Sequence, residues 1–182
     1  PDAFTAQLAQ YRKAGFDRFK IKLSGDAVRD SLKVAALVTT GIAPAMVRAD
    51  ANNLWPDADA AIAALSALDY PCFAVEEPLR PGDFAGMLRI AQALGTHIIL
   101  DESLLRSSQL DDLGRLRTAC VVNLRVSKMG GVLRALKLLQ ALRDEVGAWS
   151  GPGIHPAQAC AVVARHGRED LGAAGEEREG RH

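Results

Sequence analysis

Residues 48–52 read Arg48-Ala49-Asp50-Ala51-Asn52. They close a short run, 45–51, with the length and residue types of a β-strand. Side chains alternate in a strand, so Asp50 and Asn52 share one face at its end. The arrangement recurs on both sides. Upstream, residues 16–23 form a strand-like run that carries Lys20 and Lys22. Downstream, 71–76 ends in Val75-Glu76-Glu77-Pro78, where the proline stops the strand. The run 97–101 ends in Leu100-Asp101-Glu102-Ser103, and 120–126 carries Asn123 and Arg125. From Lys22 through Asp50, Glu76 and Asp101 to Arg125 the successive separations are 28, 26, 25 and 24 residues.

Between these runs lie Ala/Leu-rich segments of helical period at 27–38, 57–68, 84–94 and 108–116. Another, 4–14, precedes the first strand, and 132–146 follows the last. Gly15 stands where the first helix should end, and Asp57 can cap the third. Alternating strands and helices predict βα units on a parallel sheet. A doubly wound sheet has a similar spacing. Charged chemistry at the carboxyl end of every strand favours a barrel, because there all those ends meet at one mouth. The predicted class is α/β, a (β/α)8 TIM-type barrel of which about five strands and six helices are recognisable. The expected organisation is a partial barrel domain over 1–147 and an irregular tail over 148–182. The tail's last part, 167–182, is Glu/Arg/Gly-rich without apolar periodicity and reads as disordered or weakly helical.

Composition narrows the function. The 182 residues are 48% hydrophobic and 24% charged, a globular balance. Lys+Arg and Asp+Glu both number 22, so there is no basic excess to bind nucleic acid or an anionic membrane. No apolar run approaches the roughly 20 residues that span a bilayer. Pro1-Asp2-Ala3-Phe4 is not a signal peptide, and the missing initiator Met suggests a start inside a longer protein. Cys72, Cys120 and Cys160 are odd in number and unrelated in spacing, as for buried thiols in a reducing compartment. A cytoplasmic protein is expected, with no nucleic-acid or membrane partner.

The chemistry lies at the strand ends. Lys20 and Lys22, at i and i+2, share a face. Two ammonium groups brought together in a barrel interior repel, and desolvation eases proton loss further, which makes a neutral amine available as a general base. On an exposed edge strand the same pair would simply be solvated. Asp50, Glu76 and Asp101 come from three adjacent strands in one register. Each alone could cap the following helix. Together, three carboxylates would repel unless a hard divalent cation joined them, and oxygen-only ligation suits Mg²⁺. No His-x-x-His or Cys-x-x-Cys spacing offers a zinc site, and His97, His155, His166 and His182 read as structural or solvated. Gly130-Gly131 permits a tight turn into the last helix.

The ordered set Lys-x-Lys, Asp-x-Asn, Glu-Glu-Pro, Asp-Glu-Ser and Asn-x-Arg…Lys-x-Gly-Gly, over about residues 4–146, resembles the enolase superfamily. It looks most like the mandelate racemase/muconate lactonizing branch, with its dipeptide epimerases and o-succinylbenzoate synthases. The resemblance implies Mg²⁺, with Mn²⁺ admissible, held by Asp50, Glu76 and Asp101, where it stabilises an enolate made by removing the proton α to a carboxylate. It implies Lys22 as the base and Lys20 as its partner and a contact to the substrate carboxylate. Asn52, Glu102 and Asn123 would orient these groups.

Two features depart from that pattern. Where the epimerases and cycloisomerases carry a lysine for the opposite face of the substrate, this chain has Arg125. A guanidinium stays charged and is a poor proton acceptor. One-base chemistry by Lys22, with Arg125 as a fixed cation, is therefore expected rather than a two-base racemisation. Lys128, at an odd offset from Arg125, is expected on the other face. The second departure is truncation: no capping domain, first strand or last two strands are recognisable. The expected function is a Mg²⁺-dependent, enolate-forming isomerase or lyase acting on a small carboxylate. The alternative is a degenerate member without turnover, at most a metal-binding or association module. A Schiff-base aldolase using Lys22 is disfavoured by the three carboxylates. Open sheet edges at 16–23 and 120–126 lead to an expected homo-oligomer.

Overall fold

The computed structural model describes residues 3–148. Five helices are α1 (Ala3–Lys13), α2 (Ala27–Thr39), α3 (Ala58–Ala67), α4 (Phe84–Leu94) and α5 (Val132–Ala148). Five strands, β1 (Phe19–Lys22), β2 (Val47–Asp50), β3 (Ala74–Glu76), β4 (His97–Leu100) and β5 (Cys120–Val122), form one parallel sheet. Their order in space is their order in the chain. That is the winding of a (β/α) barrel, since a doubly wound sheet reverses order at its switch point. The described residues thus form a five-stranded arc of such a barrel, α/β as expected. Residues 149–182, which include most of the segment read as a tail, lie outside the described residues. None of the described helices is long and apolar enough to cross a membrane.

Local chemistry sets the helix limits. After α1, Gly15 N–H donates to Arg12 O (3.0 Å) and Phe16 N–H to Tyr11 O (3.1 Å). The Tyr11 and Phe16 rings then meet edge to face at 5.7 Å, the apolar contact that accompanies such an ending. An aspartate starts each of the next three helices. Asp26 accepts from Arg29 N–H, Asp57 from Ala60 N–H and Asp83 from Gly86 N–H, all at 2.9–3.0 Å.

The helix expected over 108–116 is instead a pair of 3-10 segments, Ser107–Gln109 and Asp111–Ala119. Gly114 (φ 49°, ψ −125°) breaks the α-helical path. Leu110, Leu113 and Leu116 are all buried. Their spacing of three matches the 3-10 repeat.

The sheet's outer face, with Ile21, Val47, Ala49, Val75, Ile98, Leu100 and Val122 buried, packs under the helices. The inner face carries the small apolar layer Ala74, Ile99 and Val121 beside Phe73. His97 stacks on Phe73 at 5.0 Å, the structural role expected of it. Cys72 and Cys120 are free thiols, and burial pushes Cys72 up to about 11. Cys160 lies outside the described residues.

Asp30 ties down the turn after β1. It is buried in α2 and accepts from Ser24 N–H, Ser24 Oγ, Gly25 N–H and Lys33 Nζ at 2.8–3.1 Å. Burial alone would raise its pKa, but these donors outweigh burial and hold the carboxyl below the usual carboxylate value. A carboxylate depressed on folding stabilises above its unfolded value and loses that contribution as pH falls through the folded one. Asp30→Asn is therefore expected to cost about 1.5–3 kcal/mol at pH 7, the scale of bonds to a charged group. Urea unfolding at pH 7 and pH 3 should show the two chains converging in acid; an equal gap at both would refute the assignment.

Candidate active site

The sheet register brings the expected site residues to one mouth. Lys22 pairs with Asp50, and Asp50 with Glu76. With two-residue alternation, Lys20, Lys22, Arg48, Asp50, Ala74, Glu76 and Ile99 share the inner face. Asp101 departs from the single register expected for the three acids. Glu76 pairs with Ile99, so Asp101 stands two residues further toward the mouth, just past the end of β4. Strand stagger in a barrel produces such an offset.

Glu76 and Asp101 are each 2% exposed, and the Asp50 side chain 13%. Charges so placed need partners. Lys20 spans the first two acids: its Nζ lies 2.7 Å from Asp50 Oδ2 and 2.9 Å from Glu76 Oε2. Arg125 holds Asp101, donating Nε–H to Oδ1 at 2.7 Å and reaching Oδ2 with its other arm. It also donates to Glu102 Oε1 at 3.3 Å. Asn123 Nδ2 donates to Glu76 Oε1 at 3.4 Å. Asn52 contributes through its backbone, whose N–H donates to Asp50 Oδ1 at 3.2 Å, at a left-handed φ of 46°. Lys22 is exposed at the rim of the same face.

Lys128 corrects the sequence reading. Its Nζ lies 3.6 Å from Asp101 Oδ2 and contacts Glu102 Oε1, so it joins the cluster. The odd-offset argument fails because the ladder ends at Val122. Residues 126–130 turn, and Gly130 and Gly131 adopt φ of 77° and 113° before α5.

Sequence reasoning also missed Glu77. Its φ of 41° turns it out of strand alternation, and its 1% exposed carboxylate accepts from Asp101 N–H, Ser103 N–H and Ser103 Oγ. Burial pushes this carboxyl up to about 7; Glu102 adds to the rise and the Ser103 donors oppose it. The doubled acid, with a serine two positions beyond the next strand's Asp, was the available signal.

The donor set fits a hard cation in kind. It consists of carboxylate oxygens on one face, and two buried oxygens of the cluster, Glu76 Oε2 and Asn123 Oδ1, have no hydrogen-bond partner among the described residues. Glu76 Oε2 is near Lys20 but not aligned for a hydrogen bond. As the side chains stand, Lys20 and Arg125 balance the acids. Among the described residues no group of three His, Cys, Asp or Glu side chains is close enough to hold a metal ion.

Comparison with known proteins bears on the family and the fold. The enolase C-terminal domain-like family model matches residues 3–167, and the chain belongs to that family. The match passes the 147 boundary drawn from the sequence. The hydrophobic dipeptide epimerase of Enterococcus faecalis is 30% identical over 140 residues, 77% of this chain and 40% of that protein. The o-succinylbenzoate synthase of Bacillus subtilis is 27% identical over 172 residues, covering 90% and 44%. Among solved structures, the E. faecalis dipeptide epimerase complexed with Mg and the dipeptide L-Leu-L-Tyr superposes with a TM-score of 0.67 at 27% identity, over 87% of this chain and 42% of that one. The chain thus spans about two-fifths of the length of these relatives.

Proposed function

We propose that this chain is a Mg²⁺-dependent enzyme that removes the proton α to a small carboxylate, an isomerase or lyase of the racemase, epimerase or cycloisomerase kind. The observation that carries the reading is the inner-face neighbourhood of Asp50 and Glu76 with Lys20 and Lys22, and Asp101 two residues further on. Asp50, Glu76 and Asp101 would hold the cation, and Mn²⁺ suits the same oxygen donors. When bound, the metal supplies positive charge against the anion that develops at the substrate carboxylate. Lys22 takes the proton from the substrate Cα onto Nζ. With Asp50 and Glu76 engaged by a cation, Lys20 would be free to bind the substrate carboxylate. Arg125 stays protonated on the other side of the cluster and stabilises negative charge without exchanging a proton. Asn52, Glu102 and Asn123 hold these groups in place. A dipeptide is the first substrate to try, because the E. faecalis relative was solved with one.

One base implies one stereochemical course. In D₂O with Mg²⁺ and L-Leu-L-Tyr, the chain is expected to incorporate α-deuterium with retention, and chelation to stop it. Arg125→Lys should add inverted product by supplying a second titratable amine. Exchange indifferent to chelation would contradict this reading, and inversion by the parent chain would contradict the single-base course. A second reading, a member without turnover, is favoured by one observation: Lys20 and Arg125 already occupy the carboxylates. It predicts no exchange at any Mg²⁺ concentration.

A further inference from the structure

The geometry points to Glu77 as a positioning residue that fixes where Asp101 stands, an inference resting on the metal reading above. Glu77 Oε1 accepts from two backbone donors on the neighbouring strand end, Asp101 N–H at 2.7 Å and Ser103 N–H at 2.8 Å. Oε2 accepts from Ser103 Oγ at 2.7 Å. Ser103 Oγ in turn accepts from Gly82 N–H at 3.0 Å, in the loop that leads to α4. Gln109 Nε2 donates to Ser103 O at 3.1 Å. One carboxylate therefore joins the end of β3, the end of β4 and the loops that follow both.

Packing alone does not call for this residue. A buried carboxylate is costly unless its donors are supplied, and an apolar side chain would fill the space at no such cost. The donors come from the two residues that flank Glu102, and the first of them is Asp101. Asp101 lies past the last ladder residue, Leu100, so strand pairing does not hold it. Its own N–H is held by Glu77, and its side chain by Arg125. The left-handed backbone of Glu77 makes the reach possible. Alternation would point residue 77 outward, and at φ 41° it bridges to β4 instead. Asn53 N–H donating to Glu77 O at 2.7 Å, and Glu77 N–H donating to Ile99 O at 3.0 Å, secure that turn from both neighbouring strands. Groups that hold a ligand from behind are commonly worth a 10–100-fold change in metal affinity.

The test uses the full chain with Glu77→Ala and Glu77→Gln. The amide keeps an oxygen for both N–H donors, so Glu77→Gln should behave as the parent. In the metal-free chain, Glu77→Ala should speed amide hydrogen exchange at Asp101 and Ser103 by NMR while Leu100 and Val121 stay protected. In Mg²⁺ calorimetry, Glu77→Ala should weaken binding roughly 10–100-fold. Ser103→Ala, which keeps the backbone clamp, should weaken it less and stands in if Glu77→Ala does not fold. Unchanged exchange at Asp101 in Glu77→Ala, or faster exchange with unchanged Mg²⁺ affinity, would overturn the assignment. So would a loss in Glu77→Gln equal to that in Glu77→Ala. A parent chain that takes up no Mg²⁺ would sink the metal reading. The exchange measurement, made without metal, separates that failure from a failure of the clamp.

Discussion

Replacing Lys22 by alanine is expected to slow α-deuterium incorporation roughly 10²–10⁴-fold, the usual contribution of a positioned general base. Lys22 sits level with Asp50 in the ladder, at the open end of the inner face. Lys20, one alternation deeper, is held between Asp50 and Glu76. Of the two lysines, the outer one is thus the one placed to meet a substrate. Because Lys22 is exposed, its loss should leave stability within about 0.5 kcal/mol, as for ordinary surface changes. A rate loss with unchanged melting temperature and Mg²⁺ affinity would identify it as the base. An unchanged exchange rate in Lys22→Ala would move that role elsewhere.

Glu76→Gln is expected to abolish measurable Mg²⁺ uptake, exceeding the 10–100-fold scale of outer partners. Glu76 is 2% exposed, accepts from Asn123 and is shared with Asp50 through Lys20. The amide keeps the shape and removes the charge. Lys20 retains Asp50 as its partner, so the folded chain should survive. Asp59→Asn is the control, since Asp59 is exposed and pairs with Arg89 on the outer helices, away from the acid cluster. Calorimetry should show the control matching the parent. Equal Mg²⁺ affinity in parent and Glu76→Gln would remove Glu76 from the ligand set.

Much of this was legible in the sequence because the controlling physics is local. Short runs with the length and residue types of strands marked the sheet, Asp57 and Gly15 marked helix limits, and the repeated strand-end charges picked out the mouth. What escaped depends on where a ladder stops and how strands stagger. Alternation holds only inside a strand, so it mis-assigned Lys128, which lies in a turn, and could not foresee the turned backbone at Glu77. Register is a tertiary property, so the displacement of Asp101 past Glu76 was invisible in separations of similar size. The 108–116 segment was read as α-helix because Leu110, Leu113 and Leu116 suit either period. Gly114 decides between them only through its backbone angles.

The central claim is that three carboxylates from successive strands share one divalent cation. Calorimetric titration of the full chain with Mg²⁺, repeated with Asp50→Asn, Glu76→Gln and Asp101→Asn combined, tests it most directly. The account predicts one saturable site in the parent and none in the triple variant, with both chains folded by circular dichroism. No saturable uptake by the parent, or the same uptake by both chains, would contradict it.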